Sequence, residues 1–299
     1  MSEIPRIIDS HQHVFWLGRD DAGLIADMDA HRIAYAWLLT WEILPAEDNP
    51  AYQRSLNPEH KRADGTHPGI PLSDLIKARD RYPKRFVLGC CPHPAHPSAP
   101  LELEQAYRIH GARVCGEWKF RMLFDDPRSL QLFHKAGELK MPVVLHLDVP
   151  YRRNETGAIT YDPAWYGGTV ENLERALQAC PATIFIGHAP GFWREISGDA
   201  GSDPAPYPAG KITTGGRLFR LFDTYRNLYA DLSAGSGRTA LKRDPKHAVE
   251  FLTRYHDRLL FGRDCFGQET HDFLKTLKLP KRVRENIYYR NAERLVAKP

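Results

Sequence analysis

The stretch "RIIDSHQHVF", residues 6–15, joins a short apolar run to Asp9, His11 and His13, which stand at every second position. The apolar run is typical of a strand that is buried on both faces, as strands in parallel sheets are. Side chains two residues apart on a strand point to the same side, so these three polar side chains are expected to face one space. Imidazole is a common metal ligand and also a common hydrogen-bonding group, so this stretch alone leaves a metal role open.

The apolar run is the first of eight along the chain, each suited to a strand buried on both faces. The other seven cover residues 33–40, 85–91, 112–120, 142–149, 183–189, 227–234 and 258–264. Between them lie segments in which apolar residues recur at intervals of three and four, which is the spacing of an amphipathic helix. Four such helices are predicted at residues 71–82, 129–140, 169–180 and 246–256.

A strand followed by a crossover helix, eight times over, predicts an α/β fold of the (β/α)8 TIM-barrel type. No linker divides the chain, so residues 1–299 are expected to form a single domain. Two long excursions, residues 43–70 and 198–217, follow predicted strand ends. In a barrel they would form long loops at the C-terminal face, where the chemistry of this fold is built.

Composition excludes several classes of partner. Hydrophobic residues make up 42% of the chain and charged residues 26%, which is typical of a soluble globular protein. The net charge of +4 is mild and spread along the sequence, so no nucleic-acid partner is expected. No secretory signal is visible, and the longest apolar segment is about half the length of a membrane-spanning helix. Five cysteines without a Cys-x-x-Cys motif suit reduced thiols, so we expect a cytoplasmic protein with no membrane partner.

Polar residues that bind metals or move protons stand at the ends of five predicted strands. Each has a structural explanation when taken alone: a core histidine, a buried Glu117–Lys119 ion pair, or a turn cap at Asp264. Together they predict one metal centre, because the C-terminal ends of barrel strands meet at one face. The candidate ligands are His11, His13, Glu117, His146, His188 and Asp264.

Several of these residues lie in motifs that resemble a known family. They are the opening Asp-x-His-x-His, the fifth-strand His146, "IGHAPG" (186–191), "LLFGRD" (259–264) and the closing "ENIYYRNAERLV" (285–296). The sequence is similar to the amidohydrolase superfamily, and within it to the amidohydrolase-related branch that includes the aminocarboxymuconate-semialdehyde decarboxylase type. The resemblance runs from residue 6 to about residue 296 and implies a metal-dependent enzyme that forms a homo-oligomer.

The resemblance also implies a divalent ion, zinc in most members, held by His11, His13, His146 and Asp264, with His188 facing the substrate. Manganese is the alternative metal. Binuclear relatives use a carboxylated lysine or a glutamate on the fourth strand, and this chain carries both Glu117 and Lys119 there. One or two ions are therefore expected.

Metal-dependent hydrolysis requires the types of residue found at these positions. Imidazoles and a carboxylate suit Zn²⁺, and a site with one open position binds water and lowers its pKa. Asp264 is the candidate general base for that water and can return the proton to a leaving group. His188 is expected to polarise a carbonyl or stabilise an oxyanion. Asp9 is expected to support a histidine from outside the ligand set.

Candidate substrate contacts are aromatic or cationic residues near strand ends: Trp16, Trp118, Arg121 and Arg152. They suit a small cyclic or aromatic carboxylate, although ordinary packing and surface arginines explain them equally well. We expect a metal-dependent hydrolase that attacks a carbonyl of an amide, lactone or ester with activated water. The alternatives are a metal-dependent non-oxidative decarboxylase of an aromatic or unsaturated carboxylate, and a barrel that senses a metal or ligand without turnover.

Overall fold

A computed structural model of the protein describes residues 6–161, 165–203 and 205–299. All eight predicted strands are present, and each is shorter than the apolar run that predicted it. They are β1 (Ile7–Gln12), β2 (Ile33–Leu38), β3 (Phe86–Leu88), β4 (Cys115–Trp118), β5 (Val143–His146), β6 (Phe185–His188), β7 (Leu228–Asp231) and β8 (Leu259–Leu260).

The eight strands pair in parallel and in chain order. One sheet has the order β1-β2-β3 and the other the order β8-β7-β6-β5-β4. Backbone hydrogen bonds join the two sheets: Ser10 N donates to Phe261 O at 2.9 Å, and Cys90 N donates to Val114 O at 2.9 Å. The predicted α/β TIM-barrel architecture is confirmed.

Helices connect the strands, and the four helices predicted from apolar spacing are confirmed within two residues at each end. In chain order the helices are α1 (Asp21–Ala30), α2 (Pro50–Gln53), α3 (Leu72–Arg81), α4 (Ala99–His110), α5 (Pro127–Glu138), α6 (Val170–Ala179), α7 (Pro190–Trp193), α8 (Arg217–Thr224), α9 (Ala234–Lys242), α10 (Pro245–Arg254), α11 (Glu269–Thr276), α12 (Lys281–Glu285) and α13 (Asn291–Leu295). Local chemistry explains the starts of α5 and α10. Each begins with proline after an aspartate whose side chain accepts a backbone N–H of the first turn.

The barrel interior below the candidate site is apolar. One buried residue or more from every strand region contributes to it, because alternate side chains of each strand face inward. These residues include Ile8, Tyr35, Trp37, Leu39, Val87, Val114, Val144, Ile186, Tyr229 and Leu260. A larger apolar layer between strands and helices forms the second core, so the candidate site rests on a packed interior.

The excursion at residues 43–70 is anchored at its base by a two-stranded antiparallel ribbon, Trp41–Glu42 with Gly69–Ile70. Gly69 has φ +91°, and a Cβ there would lie 1.9 Å from the carbonyl oxygen of Trp41, so only glycine fits. A second ribbon pairs Tyr151–Arg153 with Ile159–Tyr161 after β5. Both ribbons follow strand ends; the first belongs to the predicted excursion at 43–70, whereas the second was not predicted.

Two further expectations concern membranes and thiols. Among the described residues, no helix combines the length and the apolar character needed to cross a bilayer. All five cysteines are free, and four of them are buried. Burial raises the pKa of Cys90 and Cys91, so these two thiols stay protonated and pack as small apolar side chains.

Candidate metal centre

Three imidazoles and two carboxylates converge at the C-terminal face of the barrel. Nε2 of His11 lies 3.8 Å from Oε1 of Glu117 and 3.7 Å from Oδ1 of Asp264. Nε2 of His13 lies 3.6 Å from Oε2 of Glu117 and 3.4 Å from Oδ1 of Asp264. Nε2 of His188 lies 3.7 Å from Oε1 of Glu117 and 3.6 Å from Oδ2 of Asp264. The five side chains therefore surround one small space.

The spacing and chemistry of these atoms fit a divalent ion. Donors bound to one tetrahedral zinc at about 2.1 Å are separated by roughly 3.4 Å, close to the distances between these imidazoles and carboxylates. Nε2 of His11 and Nε2 of His188 are buried and have no hydrogen-bond partner in the described part of the chain. Buried nitrogens are rarely left unbonded, so both atoms have the character of unused ligands.

The other ring nitrogen of each imidazole is occupied. Nδ1 of His11 lies 2.9 Å from Asp231, and Nδ1 of His13 lies 2.8 Å from the carbonyl oxygen of Leu39. Nδ1 of His188 lies 2.7 Å from Oγ of Ser233 and 3.2 Å from Oδ1 of Asp231. Carbonyl and carboxylate oxygens only accept hydrogen bonds, so they select the Nδ1–H tautomer of His11 and His13. The Nε2 lone pairs are thereby directed at the centre.

Asp231 is the shared acceptor behind this arrangement. It is fully buried at the end of β7, which by itself would raise the pKa of its carboxyl. The His188 and His11 side chains outweigh burial and hold that pKa well below its usual range. An ionised Asp231 orients two of the three imidazoles. The hydroxyl of Ser233 also donates to it.

His146 stands beside the centre between two carboxylates. Its Nδ1 lies 2.6 Å from Oε1 of Glu117, and its Nε2 lies 3.0 Å from Oδ2 of Asp148. Glu117, His146 and His188 form one of the groups whose ligand atoms lie close enough to hold an ion. His146 would reach an ion through Nδ1, with Asp148 fixing the ring at Nε2.

Asp264 is the most accessible member of the centre. Its side chain is 16% exposed, whereas the Glu117 and His11 side chains are at most 1% exposed. Burial would raise the pKa of Asp264, but the charges of His11 and His13 lower it to about 2. The carboxylate is ionised at neutral pH and lies at the open side of the centre, as a proton acceptor requires.

Strand alternation accounts for the positions of three of these residues. On β5, β6 and β7 the interior residues Val144, Ile186 and Tyr229 are each followed two positions later by a residue of the site. On β1 and β4 the strand pairing contains register shifts, between Asp9 and Gln12 and between Cys115 and Trp118. His11 and Glu117 therefore follow the interior residues Ile8 and Val114 by three positions instead of two.

The shift on β1 separates Asp9 from the space that His11 and His13 share, and Asp9 gives its expected support to a histidine through the main chain. Its carboxylate accepts the backbone N–H of His11 at 3.3 Å and pairs with Nε of Arg263 at 2.6 Å. Arg263 in turn contacts Asp27 of α1 at 2.7 Å. Asp9 thus links strand to helix and supports the main chain of His11, and it does not hold an imidazole.

Two roles were considered for Lys119, an ion pair with Glu117 and a carboxylated bridge between two ions, and its surroundings in the structure match neither. Its ammonium lies 4.2 Å from the ring centroid of Trp41, 5.0 Å from that of Tyr52 and 5.5 Å from that of Tyr166. Within the described ranges no carboxylate lies within 4.0 Å of it, so the contact ion pair with Glu117, which was the structural explanation for these two residues, is absent. The nearby Glu117 charge nevertheless outweighs burial and raises the pKa of Lys119, which is therefore a cation.

Trp118 does not line the site, which corrects its assignment as a substrate contact. It is fully buried and packs on Phe120, Phe124 and Phe133 at centroid distances of 5.1, 4.8 and 5.9 Å. Glu117 points to the centre, so the next residue on the strand points to the opposite side, toward α5. Trp118 is part of the strand–helix core.

The other predicted substrate contacts have different placements. Trp16 packs 5.6 Å from the His13 ring, and its Nε1 donates to the carbonyl oxygen of Asp264 at 3.2 Å. Arg121 follows β4, and its Nε is buried with no hydrogen-bond partner in the described residues. Arg152 lies outside the residues whose side chains the structure describes. Trp16 and Arg121 thus remain candidates.

Sequence reasoning missed Asp231, although the signal was the same as for the residues that it found. Asp231 lies within the seventh apolar run, "NLYADLSA", and is the last residue of β7, just as His188 is the last residue of β6. Ser233, two residues later, was also missed, since a serine after a strand is too common to single out. Both act on imidazoles and not on the centre directly.

Comparison with known proteins is informative at the level of the family. The amidohydrolase family model matches residues 8–297, which is nearly the whole chain. No curated protein sequence matches this chain.

Solved structures with the same fold include proteins of different activities. A 5-carboxyvanillate decarboxylase from Sphingomonas paucimobilis aligns with 15% identity and a TM-score of 0.64, covering 99% of this chain and 100% of that one. The "putative 2-pyrone-4,6-dicarboxylic acid hydrolase" of Pseudomonas putida aligns with 14% identity and a TM-score of 0.60, covering 98% of each chain. An uncharacterised TIM-barrel protein from Bordetella bronchiseptica has 18% identity and a TM-score of 0.62 over 97% of this chain and 98% of that one.

At these identities the solved structures show a shared fold alone, and they include both a decarboxylase and a protein named as a hydrolase. The family model covers far more than half of the sequence and is independent of that likeness. This chain therefore belongs to the amidohydrolase family.

Proposed function

We propose that the protein is a metal-dependent hydrolase that attacks a carbonyl of a small carboxylate substrate, at an amide, lactone or ester bond. The observation that carries the proposal is the convergence of three Nε2 atoms on two carboxylates, one buried and one open to the solvent side. Glu117 and the imidazoles provide ligands, and Asp264 provides a base at the accessible edge. A purely sensory barrel has no need for such a base.

The residues have distinct roles in this proposal. A divalent ion in the centre supplies a Lewis acid and lowers the pKa of water toward neutrality. Asp264 accepts the proton of that water and later returns it to the leaving group. His188 presents a lone pair at Nε2, because its Nδ1–H is directed at Ser233 and Asp231. It is suited to bind an ion or accept a proton, and only its imidazolium form could donate to an oxyanion.

The position of Glu117 favours hydrolysis at a centre that holds two ions. Its Oε1 faces His11 and His188, whereas its Oε2 faces His13. A carboxylate whose two oxygens face different imidazoles has the geometry of a bridging ligand. Zinc suits this mixture of nitrogen and oxygen donors, and manganese is the alternative where carboxylates dominate.

Non-oxidative decarboxylation is the second candidate. It is favoured by the two cationic side chains after β4, Lys119 and Arg121, which make no ion pair with a carboxylate in the described residues. Such groups suit a substrate whose carboxylate is itself the leaving group. The centre would then hold one ion, with Glu117 as a partner of His146.

Metal content and product analysis on the same preparation test the proposal. Elemental analysis should find between one and two divalent ions per chain, and the His11→Ala/His13→Ala double variant should lose them while keeping its circular dichroism spectrum. A panel of lactones, esters and amides of cyclic acids should yield product that contains oxygen from ¹⁸O-labelled water. Release of CO₂ from aromatic carboxylates without label uptake would replace hydrolysis with decarboxylation. A metal-free active enzyme would contradict both.

A further inference from the structure

The environment of the Lys119 ammonium is unusual for a buried cation. Lys119 is only 6% exposed. Its nearest aromatic partners come from three separate parts of the chain: Trp41 from the ribbon after β2, Tyr52 from the excursion at 43–70, and Tyr166 from the segment after β5. We call these three rings the aromatic cage. Residues so far apart in sequence meet only in the fold, beside the strand that carries Glu117.

The aromatic cage stabilises the positive charge of Lys119 but offers no acceptor to the N–H donors of its ammonium. The electron-rich ring faces attract an ammonium, by about 2 kcal/mol or more where water is excluded. A lysine has three N–H donors, and no acceptor within hydrogen-bond distance is found for them in the described ranges. Burying a charge without such partners is costly. An anionic acceptor would complete this site.

The cage is held in place by the main chain of Lys119 itself. Nε1 of Trp41 donates to the carbonyl oxygen of Lys119 at 3.1 Å. Trp41 also packs edge-to-face on Tyr52, with ring centroids 5.1 Å apart. The ring over the ammonium is therefore fixed before any ligand arrives, which lowers the ordering cost of binding.

Arg121 adds a second unused cationic donor on the same strand exit. Its Nε is buried without a hydrogen-bond partner, and its guanidinium makes no ion pair in the part of the chain that the structure describes. The residue between the two cations, Phe120, is buried and packs on Trp118, on the opposite side. The charges of Lys119 and Arg121 both act to lower the pKa of Tyr166 against the effect of burial, so the two cations lie near the same ring of the cage.

The aromatic cage also argues against a carboxylated Lys119 as a bridge between ions. A carbamate is an anion, so it would lose the attraction that the negative faces of these rings give to an ammonium. With Trp41 fixed by its hydrogen bond, the rings do not turn away. Glu117 is the fourth-strand residue suited to the ligand role.

We propose that Lys119 is the residue that selects for an anionic substrate, by donating hydrogen bonds to a carboxylate that stands apart from the reacting bond. The three rings give the flat apolar contact that a cyclic or aromatic acid requires, and Arg121 supplies a further donor to the same anion. The inference deepens the proposed function by naming the residue that recognises the carboxylate of its substrate. It rests on that function only for the reaction that follows binding.

Binding of matched neutral and anionic probes to the metal-loaded protein tests Lys119 without measuring turnover. The pairs are benzoate with benzamide, 2-furoate with 2-furamide and nicotinate with nicotinamide. The affinity for each probe is measured by calorimetry and by quenching of tryptophan fluorescence. The wild-type protein should prefer the anion. Lys119→Met should weaken anion binding by about 10- to 100-fold, as expected for a charge-assisted hydrogen bond, and change amide binding by less than about 3-fold. Lys119→Arg should restore part of the preference.

The exposed Lys84 provides the matched control, because Lys84→Met removes the same charge far from the cage. Metal content is measured in every variant. The inference is overturned if the wild-type protein prefers the anion in none of the three pairs, if Lys119→Met weakens both members of a pair equally, or if it loses metal while keeping its preference. Anion preference without hydrolysis of any ester, lactone or amide would support the role of Lys119 and contradict the hydrolase proposal, so the two can fail separately.

Discussion

Nδ1 of His11 lies 2.9 Å from Oδ2 of Asp231, and both side chains are fully buried. The other oxygen of the same carboxylate lies 3.2 Å from Nδ1 of His188. One buried anion therefore sets the tautomer of two imidazoles whose Nε2 atoms face Glu117 and Asp264. Carboxylate–histidine pairs of this kind raise the basicity of a ligand and fix its ring.

The first prediction follows from this double contact. Asp231→Asn keeps one acceptor oxygen but places an amide N–H₂ against the second imidazole, which must then present a lone pair at Nδ1. We expect metal affinity to fall by about 10- to 100-fold, measured by competition with a chelator. Asp80→Asn, at an exposed position, is the matched control. Unchanged affinity in a folded Asp231→Asn variant would show that Asp231 has no bearing on the ligands.

The second prediction concerns pH and the metal-free protein. Burial alone would lower the pKa of His13, but hydrogen bonds to Asp264 and Glu117 outweigh it and raise the pKa to about 9. The raised pKa of His13 stabilises the metal-free protein fully below its ordinary value of 6.5, and this contribution disappears as the pH rises through about 9. A divalent ion binds only the neutral imidazole, so metal binding instead strengthens over the same range.

We therefore expect the gap in thermal unfolding temperature between metal-loaded and metal-stripped protein to widen from about pH 6 to about pH 8.5. Calorimetric titration in buffers of different ionisation enthalpy should detect proton release on metal binding at neutral pH. A gap that is constant across this range, with no proton released, would remove His13 from the ligand set.

The third prediction addresses the number of ions. Glu117→Gln replaces a charged ligand with a neutral and weaker one, while its remaining oxygen can still accept from Nδ1 of His146, 2.6 Å away in the wild-type protein. If Glu117 bridges two ions, metal content should fall from about two toward one per chain, as elemental analysis would show. Glu138→Gln, on the exposed side of α5, is the control. Wild-type protein that saturates at one ion would instead assign Glu117 to the support of His146.

Much of the barrel and of the metal centre could be predicted from the sequence, because apolar runs that end in polar residues directly indicate buried parallel strands. His146 and His188 follow the simple alternation of their strands, so a period of two residues predicts them, whereas Asp264 lies beyond the end of β8 and was predicted from its place in the eighth apolar run. Asp9 shows where that reading fails. The pairing of β1 shifts register between Asp9 and Gln12, so Asp9 faces Arg263 while His11 faces the centre. The periodicity of apolar residues in one sequence does not reveal such a register shift.

The cage around Lys119 could not be predicted for a different reason. Trp41, Tyr52 and Tyr166 belong to loops and ribbons, whose paths are set by tertiary contacts and not by periodicity. The sequence showed only that Lys119 is close to Glu117, which suggested an ion pair, and the family resemblance suggested a carboxylated lysine. In the structure the charge of Lys119 is instead stabilised by aromatic ring faces, and its ammonium lies 4.2 Å from the nearest ring centroid.

The fourth prediction separates binding from chemistry at Asp264. The pKa of about 2 means that Asp264 is ionised across the physiological range, so its capacity to accept a proton depends on the water being made acidic by the centre. Asp264→Asn keeps the shape of the side chain and removes its basicity. The rate should fall by about 10²- to 10⁴-fold, the range of general acid–base catalysis. Substrate binding should change far less, because the interaction is made mainly in the transition state.

The amide also weakens Asp264 as a ligand, so metal content must be measured in the preparation used for kinetics, and single-turnover rates compared at full metal occupancy. Asp264→Glu serves as the paired variant, since it retains a base but moves it by one methylene, and it should retain more activity than the asparagine variant. Equal rates for the two variants, or a metal-loaded Asp264→Asn enzyme that turns over at close to the wild-type rate, would remove Asp264 from proton transfer. The carboxylate would then be a ligand only, and the case for hydrolysis would rest on Glu117 and the number of ions it holds.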